Sequence, residues 1–217
     1  MFINNGNEAS KSQYSRLLSA HPTIEAKFVH DCPSKPFADV DITRWYHEGI
    51  DFVLLNGLFN GTSGTTFEPN ADMTRAMLVT VLWRLDKELD ATVSSLFADV
   101  ADGTWYTDAV AWAAENEIVK GYDEDTFGPN DQITREQMAA ILYRYASYKG
   151  YDLTASNDLA RYTDSGDVSA WALTAMKWAV AEELITGVSA TSLDPAGNAS
   201  RAQVATILMR FVENIVK

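Results

Sequence analysis

The sequence predicts an all-α fold: three tandem helix-loop-helix repeats arranged as a pseudo-threefold bundle. Three observations carry that expectation. First, one phrase recurs as Met73-Thr74-Arg75-Ala76-Met77, Ile133-Thr134-Arg135-Glu136-Gln137 and Ala199-Ser200-Arg201-Ala202-Gln203, with arginine spacings of 60 and 66. Self-similarity at a fixed period of tens of residues marks repeat architecture and outranks local propensities. Second, each phrase is followed by an apolar stripe at i, i+3, i+4 and i+7: Leu78, Val81, Leu82, Leu85; Met138, Ile141, Leu142, Tyr145; and Val204, Ile207, Leu208, Phe211. That spacing is one face of an α-helix, and three near-identical stripes suit a bundle in which each helix presents the same seam. Third, no stretch alternates apolar and polar residues long enough to make a convincing strand.

The repeat reaches well beyond the arginines. Phe37-Ala38-Asp39-Val40 returns as Phe97-Ala98-Asp99-Val100 and, loosened, as Tyr162-Thr163-Asp164-Ser165. Trp45, Trp105 and Trp171 follow, then Gly61, Gly121 and Gly187, then Phe67-Glu68-Pro69, Phe127-Gly128-Pro129 and Leu193-Asp194-Pro195. The offset between copies two and three is 65 at Asp99/Asp164 and 66 from Trp105/Trp171 onward, so one residue is inserted between Asp164 and Trp171. The expected organisation is a linker or upstream remnant over 1–36 and repeats over 37–90, 91–150 and 151–217. A unit of this size buries only about 60% of its unfolded surface, so the three are expected to share a core, as stacked repeats do.

Copy two shows the plan of one repeat. A first helix is expected from about Trp105 to Lys120, with Trp105, Ala109, Trp112 and Ala113 on its buried face. Gly121 is its expected left-handed stop. A tight loop follows, from which Phe127 plugs the core. The second helix starts at Thr134, where Thr134-x-x-Gln137 and Ser200-x-x-Gln203 read as capping boxes and Thr74-x-x-Met77 keeps only the cap. Trp112, Trp178 and Phe52 read as core. Asp123-Glu124-Asp125 reads as a solvated turn, because a calcium loop needs further oxygen ligands and a glycine at its sixth position. Ahead of the repeats, Glu8 to Ala20 reads as a short helix. His30-x-Cys32 is too sparse for zinc, which takes four ligands in recognisable pairs, so no metal site is expected.

The chain has 217 residues, 47% hydrophobic and 22% charged, an ordinary globular composition, with a formal net charge of −13. Nucleic-acid binding needs a basic face and is disfavoured; so is adhesion to an anionic membrane. No run of 18 apolar residues is present, so no membrane insertion is expected. One cysteine, Cys32, allows no intrachain disulfide. Residues 1–6 lack the basic and apolar regions of a signal peptide, which leaves a cytosolic chain or a piece of a larger exported protein. No nucleophile elbow, zinc-protease or phosphate-loop motif is present. Carboxylates are plentiful, but the repeats offer the same acid three times, and glycosidase roles need an asymmetric pair.

The candidate site is the helix start. Thr74, Thr134 and Ser200 supply N-caps, and Arg75, Arg135 and Arg201 sit where the helix dipole disfavours a cation. One explanation is a carboxylate clamp made of the guanidinium fork and the free N–H groups of the helix start. The other is a salt bridge to Asp39, Asp99 or Asp164. Under the clamp reading, Arg75→Ala or Arg135→Ala costs binding and leaves the fold standing. Arg84, Arg144 and Arg210 recur in the C-terminal half of the second helices, where the dipole favours a cation and a structural role is expected. Trp45, Trp105 and Trp171 are expected to be mostly core, with stacking on sugar rings as their functional alternative. Gly61 and Gly121 are helix stops first and places of close ligand approach second.

A Phe-x-Asp-Val opening, a Trp-led helix, a Gly stop, a Phe-x-Pro loop and a Thr-Arg-led helix start, in order and in triplicate over 37–217, resemble the S-layer homology (SLH) domain. The resemblance implies a three-pronged pseudo-trimer that anchors bacterial surface proteins noncovalently to the cell wall, without catalysis, metal or cofactor. The implied partner is a secondary cell wall polysaccharide carrying pyruvylated N-acetylmannosamine, or else peptidoglycan. Its ketal carboxylate would be read in grooves between adjacent repeats, with the helix-start arginine as a main contact. A protein-interaction scaffold recognising carboxylates is the alternative of a different class. The module is expected to act as a monomer, outside the cell at the wall. The chain departs from the family phrase where Met77, Gln137 and Gln203 stand for a frequent Glu. Copy three departs further, with Leu193 for Phe, Ala196 for Asn and the inserted residue, so at least one groove touching copy three is expected to be weak or empty, with Arg201 left as a structural residue while Arg75 and Arg135 bind.

Overall fold

The structure, a computed structural model, describes residues 32–87 and 97–216. The helix anticipated over Glu8 to Ala20 lies outside the described residues, as do His21 and His30. The elements are α1 (His47–Leu55), α2 (Arg75–Leu85), α3 (Thr107–Glu115), α4 (Arg135–Tyr148), a 3-10 turn (Ser165–Asp167), α5 (Leu173–Ala181) and α6 (Arg201–Asn214). Among the described residues the only β pairing is three isolated bridges. The chain is all-α, with two helices per copy. The 3-10 turn falls in the segment that holds copy three's inserted residue.

The described chain forms two compact units. One runs to Ala71 and resumes at Arg201, and so holds α1 and α6; the other is Asp72–Ser200 and holds α2 to α5. In the first, α1 packs on α6; in the second, α3 packs on α2 and α5 on α4. The first helix of a copy therefore packs on the second helix of a different copy. The succession is one with two, two with three, and three with one. The three stripes are buried as their spacing implies, with Leu78, Leu82, Met138, Leu142, Val204 and Leu208 fully enclosed. Trp112, Trp178 and Phe52 are core, and Phe67, Phe127 and Leu193 plug it from their loops. In the first unit the packing is close enough that Gly49 needs its missing side chain: a Cβ there would lie 2.7 Å from the Thr206 backbone.

The threefold relation is visible inside the 72–200 unit, in the tripeptides that lead into the second helices. Met73 N–H donates to Ala199 O at 3.0 Å, Ala199 N–H to Ile133 O at 2.9 Å, and Ile133 N–H to Met73 O at 2.9 Å. The ring closes on itself and is flanked by the bridges Asp72–Ser200, Thr74–Gln132 and Thr134–Asn198. Met73, Ile133 and Ala199 are buried at its centre. On the exposed side, the Asn198 amide reaches Asp72 Oδ2 at 3.0 Å and also Gln132 Oε1.

Three local expectations are corrected. The first helix begins at Thr107, two residues after the tryptophan, following a turn in which Thr107 Oγ1 accepts from Thr104 N–H at 3.0 Å and donates to Ala101 O at 2.8 Å. Trp105 is therefore off the helix and off the buried face. The helix stop is not Gly121. The left-handed residues are Gly57, Glu117 and Glu183, at φ 65°, 57° and 58°, and Ile118 N–H returns to Ala113 O at 2.8 Å in the manner of a Schellman close. Gly121 serves close approach instead. A Cβ there would sit 2.3 Å from Asp123 O and 2.5 Å from Thr126 O.

Gly49→Ala is expected to lower stability by about 1–3 kcal/mol, the usual cost of overpacking against a backbone that cannot yield. Gly64→Ala, with open space around it, is the near-neutral control. Urea unfolding followed by circular dichroism checks the pair.

Candidate anion-binding joints

Each joint begins with an aspartate that fastens the loop of its own copy. Asp39 accepts from Phe67 N–H at 2.9 Å and Glu68 N–H at 2.7 Å. Asp99 does the same for Phe127 at 2.9 Å and Gly128 at 2.7 Å. Asp164 holds Leu193 N–H at 2.9 Å and Asp194 N–H at 2.8 Å, and also the Ser192 hydroxyl at 2.7 Å. The Leu193 N–H first, then Ser192 and Asp194, hold the Asp164 carboxyl down to about 2. The residue after each plug is left-handed, with φ 58° at Glu68, 72° at Gly128 and 52° at Asp194. The loop thus turns its carbonyls outward to the next element.

The helix start of the preceding copy meets that loop. Arg75 N–H donates to Asp131 O at 2.9 Å and Ala76 N–H to Pro129 O at 3.1 Å. Arg135 and Glu136 N–H repeat this on Gly197 O and Pro195 O, both at 2.9 Å, and Arg201 and Ala202 N–H on Ala71 O and Pro69 O, both at 2.9 Å. The next N–H is taken by the cap itself: Met77 N–H by Thr74 Oγ1 at 3.2 Å and Gln137 N–H by Thr134 Oγ1 at 3.3 Å, the latter within a full capping box. The helix-start N–H groups are therefore not free for an anion, contrary to the expectation. They are spent on carbonyls, because the neighbouring loop sits where a ligand would have to bind them.

The arginine side chains follow the same route. Arg75 Nε donates to Phe127 O at 2.9 Å and Nη2 to Lys120 O at 3.1 Å. Arg135 uses Leu193 O and Thr186 O, both at 2.7 Å. Arg201 uses Phe67 O and Asn60 O, both at 2.8 Å. The three residues are only 4%, 3% and 9% exposed, and burial, the leading cause, lowers each guanidinium's affinity for its proton. None makes an ion pair with Asp39, Asp99 or Asp164. Those carboxylates bind loop N–H groups while the arginine binds the carbonyl of the same plug residue, Phe67, Phe127 or Leu193. Asp39, Asp99 and Asp164 still act on Arg201, Arg75 and Arg135 through space. The remaining terminal nitrogen, Nη1, has no hydrogen-bond partner among the described residues.

The joints differ in their aromatic surroundings. The Arg75 guanidinium lies 4.6 Å from the Tyr122 ring centre and 4.7 Å from that of Phe127. Arg201 lies 4.5 Å from Phe67 and 5.2 Å from Phe59. Among the described residues no ring stacks on the Arg135 guanidinium, since copy three supplies Val188 and Leu193 at those positions, although Tyr162 acts on it through space. This joint has instead a Glu136 carboxylate that accepts from Ser169 N–H and Oγ, each at 2.9 Å. Tyr122, exposed and beside a buried cation, is a candidate residue that the repeat comparison passed over. Its signal was its departure from Thr62 and Val188 right after the repeated glycine.

Trp45, Trp105 and Trp171 are 62%, 58% and 56% exposed, against the expectation that most of each ring is core. Trp45 and Trp105 rest edge-on against Tyr46 and Tyr106, and no ring contact or hydrogen bond links them to the arginines. Gly61, Gly121 and Gly187 each directly follow the carbonyl that binds an arginine Nη2, at Asn60, Lys120 and Thr186. Asp123, Glu124 and Asp125 are exposed, as a solvated turn should be.

A sequence model of the S-layer homology domain matches residues 36–76, 96–139 and 161–205. The chain is 31% identical over 90% of its length to an amylopullulanase of Thermoanaerobacterium thermosulfurigenes, covering 10% of that protein. It is 30% identical over 80% of its length to the surface-layer 125 kDa protein of Lysinibacillus sphaericus, covering 14% of it. It is 33% identical over 80% of its length to an endoglucanase of Bacillus sp. (strain KSM-635), covering 18% of it. The chain thus spans a small part of each of these relatives.

Arg75→Ala is expected to destabilise the fold, where the sequence alone implied it would not. It removes two charged donors from carbonyls, at about 1.5–3 kcal/mol for such a bond. Arg75→Lys, which keeps the charge but loses the fork, should fall between the two. Thermal unfolding by circular dichroism reads the order; an unchanged Tm for Arg75→Ala would remove the structural role.

Proposed function

Because this chain belongs to the S-layer homology domain family, we propose that it is a non-catalytic module that anchors to the bacterial cell wall. Its ligand is an anionic secondary cell wall polysaccharide, pyruvylated on its sugar, bound at the joints between copies. The observation that carries the reading is the set of three buried guanidiniums, each hydrogen-bonded to two carbonyls, ion-paired to no carboxylate, and left with one unspent nitrogen. Desolvating a cation with no carboxylate in contact is costly, and a ligand carboxylate at Nη1 would compensate it with a charge-assisted bond. The net charge of −13 works against an anionic polymer at long range, so capture depends on these local cations. The exposed tryptophans and Tyr122 offer flat faces to the C–H-rich side of a sugar.

The module works as a monomer outside the cell, at the wall. Using more than one joint on a single polymer raises avidity through effective concentration. Catalysis belongs to whatever domains accompany such modules, as the amylopullulanase and the endoglucanase suggest by matching over small fractions of their length.

Cosedimentation with purified sacculi tests the proposal. The chain should bind intact sacculi and fail to bind sacculi stripped of secondary polymer. Trp105→Ala should weaken binding about tenfold, a typical loss for a truncated aromatic anchor, with an unchanged fold. Retention on stripped sacculi would favour peptidoglycan, and no binding to either would favour a protein partner.

The joints are expected to be unequal, with the Arg135 joint the weak one because it lacks the aromatic wall. Calorimetry with a short pyruvylated fragment should then give fewer than three equivalents at high affinity. Tyr122→Val, which gives the Arg75 joint the residue of copy three, should lower the count further or weaken one site about tenfold. Three equal sites would contradict the inequality.

A further inference from the structure

We propose that Cys32, His47 and Asp51 form a three-ligand site for a thiophilic divalent cation of the zinc class, with the fourth position left to water or an external ligand. The three ligand atoms lie within 4.8 Å of one another. Cys32 Sγ is 2.9 Å from His47 Nε2 and 3.2 Å from Asp51 Oδ2, and Nε2 is 3.2 Å from that same Oδ2. These atoms outline one triangular face. Around tetrahedral zinc, bond lengths of about 2.0–2.3 Å imply ligand-to-ligand edges of roughly 3.3–3.7 Å, so small side-chain rotations admit the ion.

The elements that hold the ligands suit the task. His47 and Asp51 are i and i+4 on α1, which places them on one helix face. His47 is buried. Asp51 is oriented by the Ser34 N–H at 3.0 Å on Oδ1, the kind of outer partner that aims a ligating carboxylate. The hydroxyl of Ser34 also touches the sulfur, at 3.1 Å. A hydrolytic Cys-His-Asp relay is excluded by geometry. Such a relay needs the thiol and the carboxylate on opposite ring nitrogens, whereas here both face Nε2. Convergence of sulfur, nitrogen and oxygen on one point is the signature of a shared cation.

The site is independent of the wall-binding joints, because the repeat does not carry it. The positions of His47 and Asp51 are Thr107 and Ala111 in copy two and Leu173 and Lys177 in copy three. Thiolate and carboxylate together offset the double charge, and imidazole binds neutral. A metal ligand must be the thiolate, so the bound ion takes the place of the Cys32 proton, which passes to solvent with no change of oxidation state.

Cobalt(II) titration of the full chain under reducing conditions tests the assignment, because Cys32 is the only sulfur that can give a thiolate charge-transfer band. One equivalent should raise the band, and zinc should bleach it by displacement. Cys32→Ser should abolish it. Asp51→Asn and His47→Gln should each weaken cobalt binding by at least about tenfold. Asp51→Asn preserves shape and the Ser34 contact, so it decides the matter if His47→Gln unfolds. No band at one equivalent, or a band of unchanged affinity in Asp51→Asn, overturns the site.

Discussion

Three backbone hydrogen bonds, Met73 to Ala199, Ala199 to Ile133 and Ile133 to Met73, organise much of this molecule. A backbone group buried without a partner costs about as much as a lost hydrogen bond, and these groups lie beside fully enclosed side chains. No copy can satisfy the requirement alone, since each N–H needs the carbonyl of another. Once the ring closes, the next residues enter their helices with the first N–H groups already aimed at the loop of another copy. The loop carbonyls then lie within reach of the Arg75 and Arg135 side chains.

The arginines then serve two demands that a sequence motif alone does not separate. Their Nε and Nη2 bind carbonyls that the loop cannot bond internally, which ties one copy to the next. Their positive charge stays buried and lacks an ion pair. Asp39, Asp99 and Asp164 offset it only through space, because each carboxylate is turned onto loop N–H groups instead. This division of labour fixes the arginine and the aspartate on the same loop without bringing them into contact.

Core positions change between copies but stay apolar, as at Met73, Ile133 and Ala199 or Leu85, Tyr145 and Phe211. The plug tolerates Leu193 for phenylalanine with full burial, because volume and apolarity suffice there. Ring identity matters beside the guanidinium, where a π-face interacts with charge and an aliphatic side chain does not. Hence Tyr122, Thr62 and Val188, equivalent in position, give three different joints. Copy one diverges at His47 and Asp51, and that departure brings Cys32 into a cluster which the repeat would otherwise not contain.

The sequence by itself determined the second helices, the Thr74 and Thr134 caps, the buried stripes, the plugs and the three-copy plan. All of these rest on contacts within a few residues or on a period of 3.6, and so they print directly into residue order. Only the tertiary structure decided that each first helix packs on another copy's second helix. The same is true of the spent N–H groups, the solvent-exposed Trp45, Trp105 and Trp171, and the link from Cys32 to α1. The arginine bonds span 45 residues or more, and their acceptors are backbone carbonyls, which every residue has. Such acceptors leave no mark of side-chain identity, so no motif could announce them. The tryptophans lie outside the helical pattern because each first helix starts two residues later, at His47, Thr107 and Leu173, which leaves the ring on the preceding turn and in solvent.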